Sequence, residues 1–316
     1  MIIRDFETKH TEEAAEIALG VYNHERAFTR ELPEISDIPI LKQLSGNGFG
    51  VSAFEGGKMV GFLCGAEPFE NAFRSTDARG VFSPMGANGA VKENHGMIYA
   101  ALYQAAAKKW VKAGAVSHAV CLYEHDEEAK RQFFRNGFGM RCADAVRVME
   151  TIDCVVCGGY EFLELPKEDY ASVYPLHLAL NEHYCSSPCF MNRKPDTPEE
   201  FLQRNKKRCF AAKTGGELCA DMEVSDEGET FVASGNLYRH VTGAYCMPEH
   251  RGRGVYKNLL NFVVNTLKAE GYIRLGVDFE SVNPSGSGFW LKFFHAYTSS
   301  VVRRIDERIM QRTSLI

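Results

Sequence analysis

The chain has 316 residues, 45% hydrophobic and 24% charged, with a formal net charge of −5. This is the balance of an ordinary soluble protein of about two domains, and the acidic excess speaks against a partner held by a basic surface, such as nucleic acid. No apolar run approaches the ~20 residues of a membrane span, and the N-terminus lacks the plan of a secretory leader, so a cytoplasmic protein with no membrane partner is expected.

In chain order, the hydrophobic periodicity predicts a strand over residues 2–6, a helix from Thr11 to about Phe28, and a hairpin of 49–54 with 59–64 around Glu55-Gly56-Gly57-Lys58. A glycine-rich irregular strand over 81–91 follows, then an alanine-rich helix over 97–111 ending at Gly114. A strand (116–123), a helix (127–135) stopped at Gly137 and a strand (145–150) complete the first half. The second half repeats the plan. It has a strand (160–165), a helix (168–184), a helix (197–205), a hairpin of 208–213 with 218–224 around Thr214-Gly215-Gly216-Glu217, and a long strand (237–247). A helix (255–270), a strand (275–279), a short helix (289–294) and a closing strand (300–310) follow. A repeat on this scale implies two similar α+β domains, each a mixed, mostly antiparallel sheet flanked by helices, with boundaries at 1–153 and 160–316.

Ten cysteines are scattered, mostly among apolar neighbours, as reduced thiols are. Cys154-Val-Val-Cys157 and Cys185-Ser-Ser-Pro-Cys189 could be drawn as a four-thiolate zinc site. The first pair lies in a strand-like run, where residues three apart face opposite ways, and Val-Val makes a poor ligand turn. No metal is expected.

The most informative stretch is Gly243 to Leu260. An apolar strand ends near Pro248, Arg251-Gly252-Arg253-Gly254 makes a tight basic turn, and Val255, Leu259, Leu260, Val263 and Leu267 have helical spacing. A strand, a glycine-rich turn and a helix start make an anion cradle, because first-turn amides have no partner within the helix and the dipole is positive there. No Gly-Lys-Ser/Thr follows, and Lys257 stands where a dinucleotide fingerprint has its third glycine. The segment resembles the acyl-CoA motif of the GNAT acyltransferase superfamily, on Arg251, Gly252, Gly254 and the Leu259-Leu260 pair. The order of elements in both halves is similar to that fold, and Phe133-Phe134-Arg-Asn-Gly137-Phe138 looks like a helix end common in the superfamily. The chain therefore resembles a tandem GNAT protein. In the first half Asn94-His95-Gly96-Met97 replaces the basic turn, so that half is expected to be a scaffold.

The resemblance implies an N-acyltransferase that moves acetyl from acetyl-CoA to an amine by direct attack. The pyrophosphate would sit on the amides of Arg251, Gly252, Arg253, Gly254, Val255 and Tyr256, and the pantetheine would pair with backbone near Tyr245, Cys246 and Met247. Asn283 stands where the family often contacts the pantetheine. Trp290 occupies the place of the family's acidic tyrosine, which leaves Tyr297 as the candidate acid. The candidate bases are His240, Glu280 and Glu223. Cys246 is not read as a nucleophile. The acceptor, a small-molecule or peptide amine, would be received by residues 181–208, including His183, Tyr184, Phe190 and Arg193. The alternative is a CoA-binding regulatory or sensor module that has the fold without turnover.

Overall fold

The computed structural model of the chain describes residues 1–74, 76–203 and 207–312. The chain divides into two compact units, one of Met1–Asp144, Glu280–Val282 and Ala296–Ile316, the other of Ala145–Phe279 and Asn283–His295. The first holds a four-stranded antiparallel sheet and a further mixed set of strands, the second a mixed sheet, with helices packed on them.

The first unit contains β1 (Ile2–Asp5), α1 (Thr11–Phe28), α2 (Ile40–Leu44), β2 (Gly50–Glu55), β3 (Lys58–Cys64), β4 (Gly80–Ser83) and β5 (Asn88–Ala90). Next come α3 (His95–Lys112), β6 (Ser117–Tyr123), α4 (Glu127–Arg135) and β7 (Gly139–Val148), the last divided between the units at Asp144. β1, β2, β3 and β5 form an antiparallel sheet in that order, and β4 lies parallel to β6. The expected irregular strand is thus two short ones, interrupted at 84–87. Gly56 and Gly57 take φ of 55° and 84°, the pair of left-handed residues that a tight two-residue hairpin turn requires. α3 presses Ile98, Leu102 and Trp110 into a core shared with Val51, Leu63, Val120 and Phe133.

The second unit contains β8 (Glu161–Glu164), α5 (Tyr174–Cys185), α6 (Pro198–Gln203), β9 (Arg208–Thr214), β10 (Glu217–Ser225) and β11 (Tyr238–Cys246). Then follow α7 (Val255–Ala269), β12 (Arg274–Glu280), α8 (Pro284–Trp290), the two-residue β13 (His295–Ala296) and β14 (Thr298–Arg304). The sheet order is β12-β11-β10-β9-β8. Its β9–β10 hairpin turns on Gly215 and Gly216, with φ of 59° and 88°, as the first unit's hairpin does. α7 buries Val255, Leu259, Leu260, Val263, Val264 and Leu267 completely. On the opposite face Leu176 of α5 and Phe201 of α6 pack over Cys209, Ala211 and Tyr245. The repeat is visible in the helix stops. Tyr272 N–H returns to Leu267 O and Gly271 N–H to Lys268 O, while Ala115 and Gly114 make the same pair of bonds to Trp110 and Val111. In both, the glycine supplies the left-handed residue that closes the helix.

Three expectations need correction. The closing strand does not belong with residues 160–295. β14 lies antiparallel between β6 and β7, with Val301 opposite Val120 and buried in the first unit's core. In the other direction, residues 145–153 join the second unit, where Met149 N–H bonds Ile273 O and Ile152 N–H bonds the side chain of Asn261. The helix expected over 168–184 is a 3-10 turn, Lys167–Val173, followed by α5, because Pro175 lacks an N–H and fits only a first turn. The helix expected at 197–205 is α6, and residues 204–205 lie outside the described residues. No helix among the described residues is long and apolar enough to cross a membrane.

Candidate active site

The site is built from the head of α7 and the ends of β11 and β12. Gly254 is the residue before the helix, with φ of 81°, and Gly252 has φ of 74°. Both are left-handed values that a Cβ would strain. The first helical bond runs from Asn258 N–H to Gly254 O. The amides of residues 252–257 have no acceptor among the described residues. The free run starts one residue later than expected, because Arg251 N–H is taken by Pro248 O at 3.2 Å. A Cβ at Gly252 would meet no atom within 4 Å, whereas one at Gly254 would lie 3.3 Å from Cys157 Sγ, which donates to Arg253 O. Arg251 folds back: its Nε donates to Cys246 O at 2.8 Å and its guanidinium lies 5.3 Å from the Tyr245 ring centre. Arg253 is exposed.

β11 and β12 pair in parallel only from Tyr238–Arg274 to Val241–Val277, and then they part. The parting coincides with a bulge. Opposite the step from Glu223 to Val224, β11 carries one extra residue, Thr242. A bulge bends its strand, and here it releases one edge of β11 while the other edge stays on β10. Residues 242–246 thus offer backbone groups toward the gap. Of the three residues expected to pair with a pantetheine arm, Met247 gives its N–H to Cys219 O at 2.9 Å, and Cys246 gives its carbonyl to Arg251. Burial pushes the Cys246 thiol up to about 11, which keeps it protonated and unsuited to attack.

The strand register assigns the polar residues to one face, the one covered by α5. Glu223 stands opposite Gly243, and Asp221 opposite Tyr245. A Cβ on Gly243 would lie 2.8 Å from the Glu223 carboxylate, so only glycine fits there. Glu223 itself is held by Lys207 at 2.9 Å. Asp221 is buried with Oδ1 unpartnered among the described residues, and burial followed by the charge of Glu223 pushes its pKa well up. His240, fully buried on the same face, joins Tyr238 Oη at Nδ1 (2.7 Å) and Asp278 Oδ1 at Nε2 (2.9 Å). Asp278 follows the last residue of β12 that pairs with β11, and its side chain is 31% exposed. The sequence reading passed over Asp278, since an aspartate inside Leu275-Gly-Val-Asp-Phe279 resembles any outward strand position.

Two sequence candidates are not in this site. Tyr297 belongs to the first unit and is fully buried, with its amide on Asp144 O and its carbonyl accepting from Glu124 N–H. Glu280 is also counted with the first unit, and Arg141 holds both its oxygens, at 2.7 and 3.2 Å. A carboxylate so paired is not free to accept a substrate proton. Trp290 packs edge-on against Tyr256 and Phe294, a core residue with no acid to offer. α8 starts at Pro284, earlier than expected, because Asn283 Oδ1 caps Gly286 N–H. The same oxygen faces His183 Nε2 at 3.2 Å, which sets the last turn of α5 beside the end of β12, and the His183 ring lies 6.5 Å from that of Tyr245. Asn283 Nδ2 has no partner among the described residues. Arg193 lies over Tyr184, while Phe190 is exposed.

In the first unit the head of α3 occupies the corresponding position. Its amides at 92–97 likewise lack acceptors among the described residues. There, however, Asn94 takes the left-handed φ of 56°, and the His95 ring bonds Asp126 at 2.8 Å and Val91 O at 2.9 Å. Burial opposes charge on His95, but the bond to and charge of Asp126 outweigh it and raise its pKa. Asp126 is the N-cap of α4, so this bridge ties two helix heads together.

Residues 176–294 match the acetyltransferase (GNAT) family. The whole chain has the fold of a GCN5-related N-acetyltransferase from Sphaerobacter thermophilus, with a TM-score of 0.62 at 13% identity, over 96% of this chain and 95% of that one. The glucosamine N-acetyltransferase region of a fungal multi-domain GH3 β-N-acetylglucosaminidase is similar at a TM-score of 0.53 and 12% identity, over 95% of this chain and 38% of that one. A tandem GNAT protein of the clavulanic acid biosynthesis pathway reaches 0.47 at 14% identity, over 96% and 98%. No curated protein matches the chain in sequence.

Proposed function

We propose, from the GNAT acetyltransferase domain formed by residues 176–294, that the second unit transfers an acetyl group from acetyl-CoA to an amine. The observation that carries this reading is the run of unpartnered amides at 252–257, flanked by Arg251 and Arg253, beside an edge of β11 that β12 has left. Such amides suit the oxygens of a diphosphate, which accept hydrogen bonds and favour the positive end of a helix. Tyr256 anchors the first turn through Oη on Asp221 O, at 2.9 Å, and Val255 is fully buried beneath it, so the cradle is rigid before anything binds. The open edge at 242–246 suits an extended pantetheine arm that pairs like an added strand. The free Nδ2 of Asn283 is a donor for an amide carbonyl of that arm. The bound thioester is polarised by a backbone N–H of the β11 edge, and the amine attacks its carbonyl carbon directly.

Calorimetric titration with acetyl-CoA, followed by CoA thiol release with a panel of primary amines, tests this. The expected result is binding in the micromolar range that the motif suits, and an amine that raises release above hydrolysis. Binding without release by any amine would leave a CoA sensor, and no binding would remove the cradle altogether.

A further inference from the structure

We infer that Asp278 is the group that receives the acceptor amine and takes its proton, and that the buried His240 is its positioning residue. The inference rests on the acyltransferase reading above. Asp278 stands at the point where β11 and β12 part, on the face of the sheet that α5 covers, as the register of His240 with Gly276 and the alternation along β12 require. The gap between the strands is where a thioester would end, so an amine attacking it comes from this face.

With Asp278 ionised and the ring neutral, the hydrogen bonds select one tautomer of His240. An ionised carboxylate only accepts, so His240 Nε2 carries the proton that points at Asp278 Oδ1. In the neutral ring Nδ1 is then bare, and Tyr238 Oη donates to it. The ring packs closely against two glycines. A Cβ at Gly276 would lie 2.7 Å from His240 Nδ1, and one at Gly228 would lie 2.4 Å from it. The imidazole is thus wedged between two glycine backbones, with one nitrogen aimed at the carboxylate. This fixes Asp278 by Oδ1 and leaves Oδ2, which has no partner among the described residues, facing outward. Of the other carboxylates on this face, Glu223 is held by Lys207 and Asp221 is buried and shifted toward its neutral form. Asp278 is the member of this set with an exposed, unoccupied oxygen.

The chemistry balances. The acceptor arrives as an ammonium, binds Oδ2 and loses one proton to solvent. The nitrogen lone pair forms the C–N bond, and the second proton, made acidic by that bond, passes to Oδ2. The C–S bond breaks with its electron pair on sulfur, and the thiolate takes the proton held by Asp278. One amide and one free CoA thiol result, with one proton released overall. An amine that is positively charged in solution is therefore the substrate class, and an uncharged acceptor such as an alcohol is not.

The test compares wild type with Asp278→Asn, His240→Phe and His240→Gln in thiol release across pH. Asp278→Asn is expected to lower kcat about 100-fold or more, with acetyl-CoA affinity by calorimetry unchanged. His240→Phe is expected to lower kcat without raising KM in proportion and to move the acid limb of the profile to higher pH. His240→Gln, which keeps an N–H donor, is expected to restore that limb. A readout free of turnover is the ¹⁵N spectrum of His240 in the unliganded protein, expected to show the proton on Nε2. A wild type that binds acetyl-CoA but acetylates no amine overturns the acyltransferase reading and this assignment with it. An active wild type whose Asp278→Asn variant keeps its rate within about threefold overturns this assignment alone, as does a His240 proton on Nδ1 only.

Discussion

Two helix heads of this chain, those of α3 and α7, start alike and end differently. Each follows a strand, each opens with a left-handed residue, and each presents six amides with no acceptor among the described residues. At α7 the left-handed residue is a glycine, arginines flank the turn, and a Cβ at Gly252 would project into open space. At α3 it is Asn94, and the imidazole of His95 reaches from the helix to the cap of α4. Free amides are a property of every helix N-terminus, so they do not make a binding site alone. What separates the two is access and charge. Of the two, α7 combines amides unpartnered among the described residues with positive side chains, and the side chain tied at its turn, Cys157, is small and bonds Arg253 O and Asn258 Nδ2.

The comparison can be broken from the α7 side first. Replacing both Gly252 and Gly254 by valine forces two β-branched residues into left-handed backbone, at about 1–2 kcal/mol each, and fills the cradle. Acetyl-CoA affinity is expected to fall about 1,000-fold, with the far-ultraviolet dichroism of the chain retained. Gly252→Ala separates cradle from fold, since its Cβ touches nothing, and is expected to weaken binding without a loss of cooperative unfolding. Unchanged affinity in either variant removes the cradle from the account.

A second contrast lies between two buried histidines. His240 has a carboxylate for company, whereas among the described residues the ring nitrogens of His118 in the first unit meet Tyr103 Oη at 3.0 Å and Ala115 O at 3.1 Å. Burial drives His118 down to about 4. An unfolded histidine titrates near ~6.5, so below that pH the unfolded chain gains a proton that the folded one refuses. The stability due to neutral His118 is fully present above about 6.5 and is lost as the pH falls toward 4, a change on the order of 3 kcal/mol. Urea unfolding at pH 7 and pH 4.5 measures it, and a His118→Gln variant should show a flatter pH dependence. An equal slope in that variant would place the acid sensitivity elsewhere.

Smaller effects sharpen the same picture. Arg251→Ala removes a charge and the clasp on Cys246 O, and about a tenfold weaker acetyl-CoA affinity is expected, with a shallower salt dependence. His95→Ala removes the bridge of the first unit but adds no positive charge, so no second acetyl-CoA site should appear in calorimetry.

Much of this was legible in the chain. The Gly-Gly hairpins, the glycine stops at 114, 137 and 271, and the turn at 251–254 are local signals that carry their own geometry, and each lies where the spacing places it. Residues whose environment depends on distant partners were not legible. Ser300 to Met310 reads as a strand but carries no mark that it pairs with residues 117–123. Tyr297 followed it into the first unit. Glu280 looked like a free carboxylate at a strand end, and its arginine lies 139 positions away. α8 was displaced because Ser285-Gly-Ser-Gly288 is poor helix sequence, and the Asn283 cap with Pro284 was the better guide. His240 was noticed for its imidazole, whereas the exposed oxygen beside it belongs to Asp278, which only the register of β11 on β12 reveals.

The central claim is that one of two similar helix heads grips a diphosphate. Calorimetric titration of the intact chain with acetyl-CoA tests it most directly. The account expects a single site per chain, abolished in the Gly252→Val, Gly254→Val double variant and retained in His95→Ala. Two equivalent sites, or binding that survives the double substitution, would contradict it.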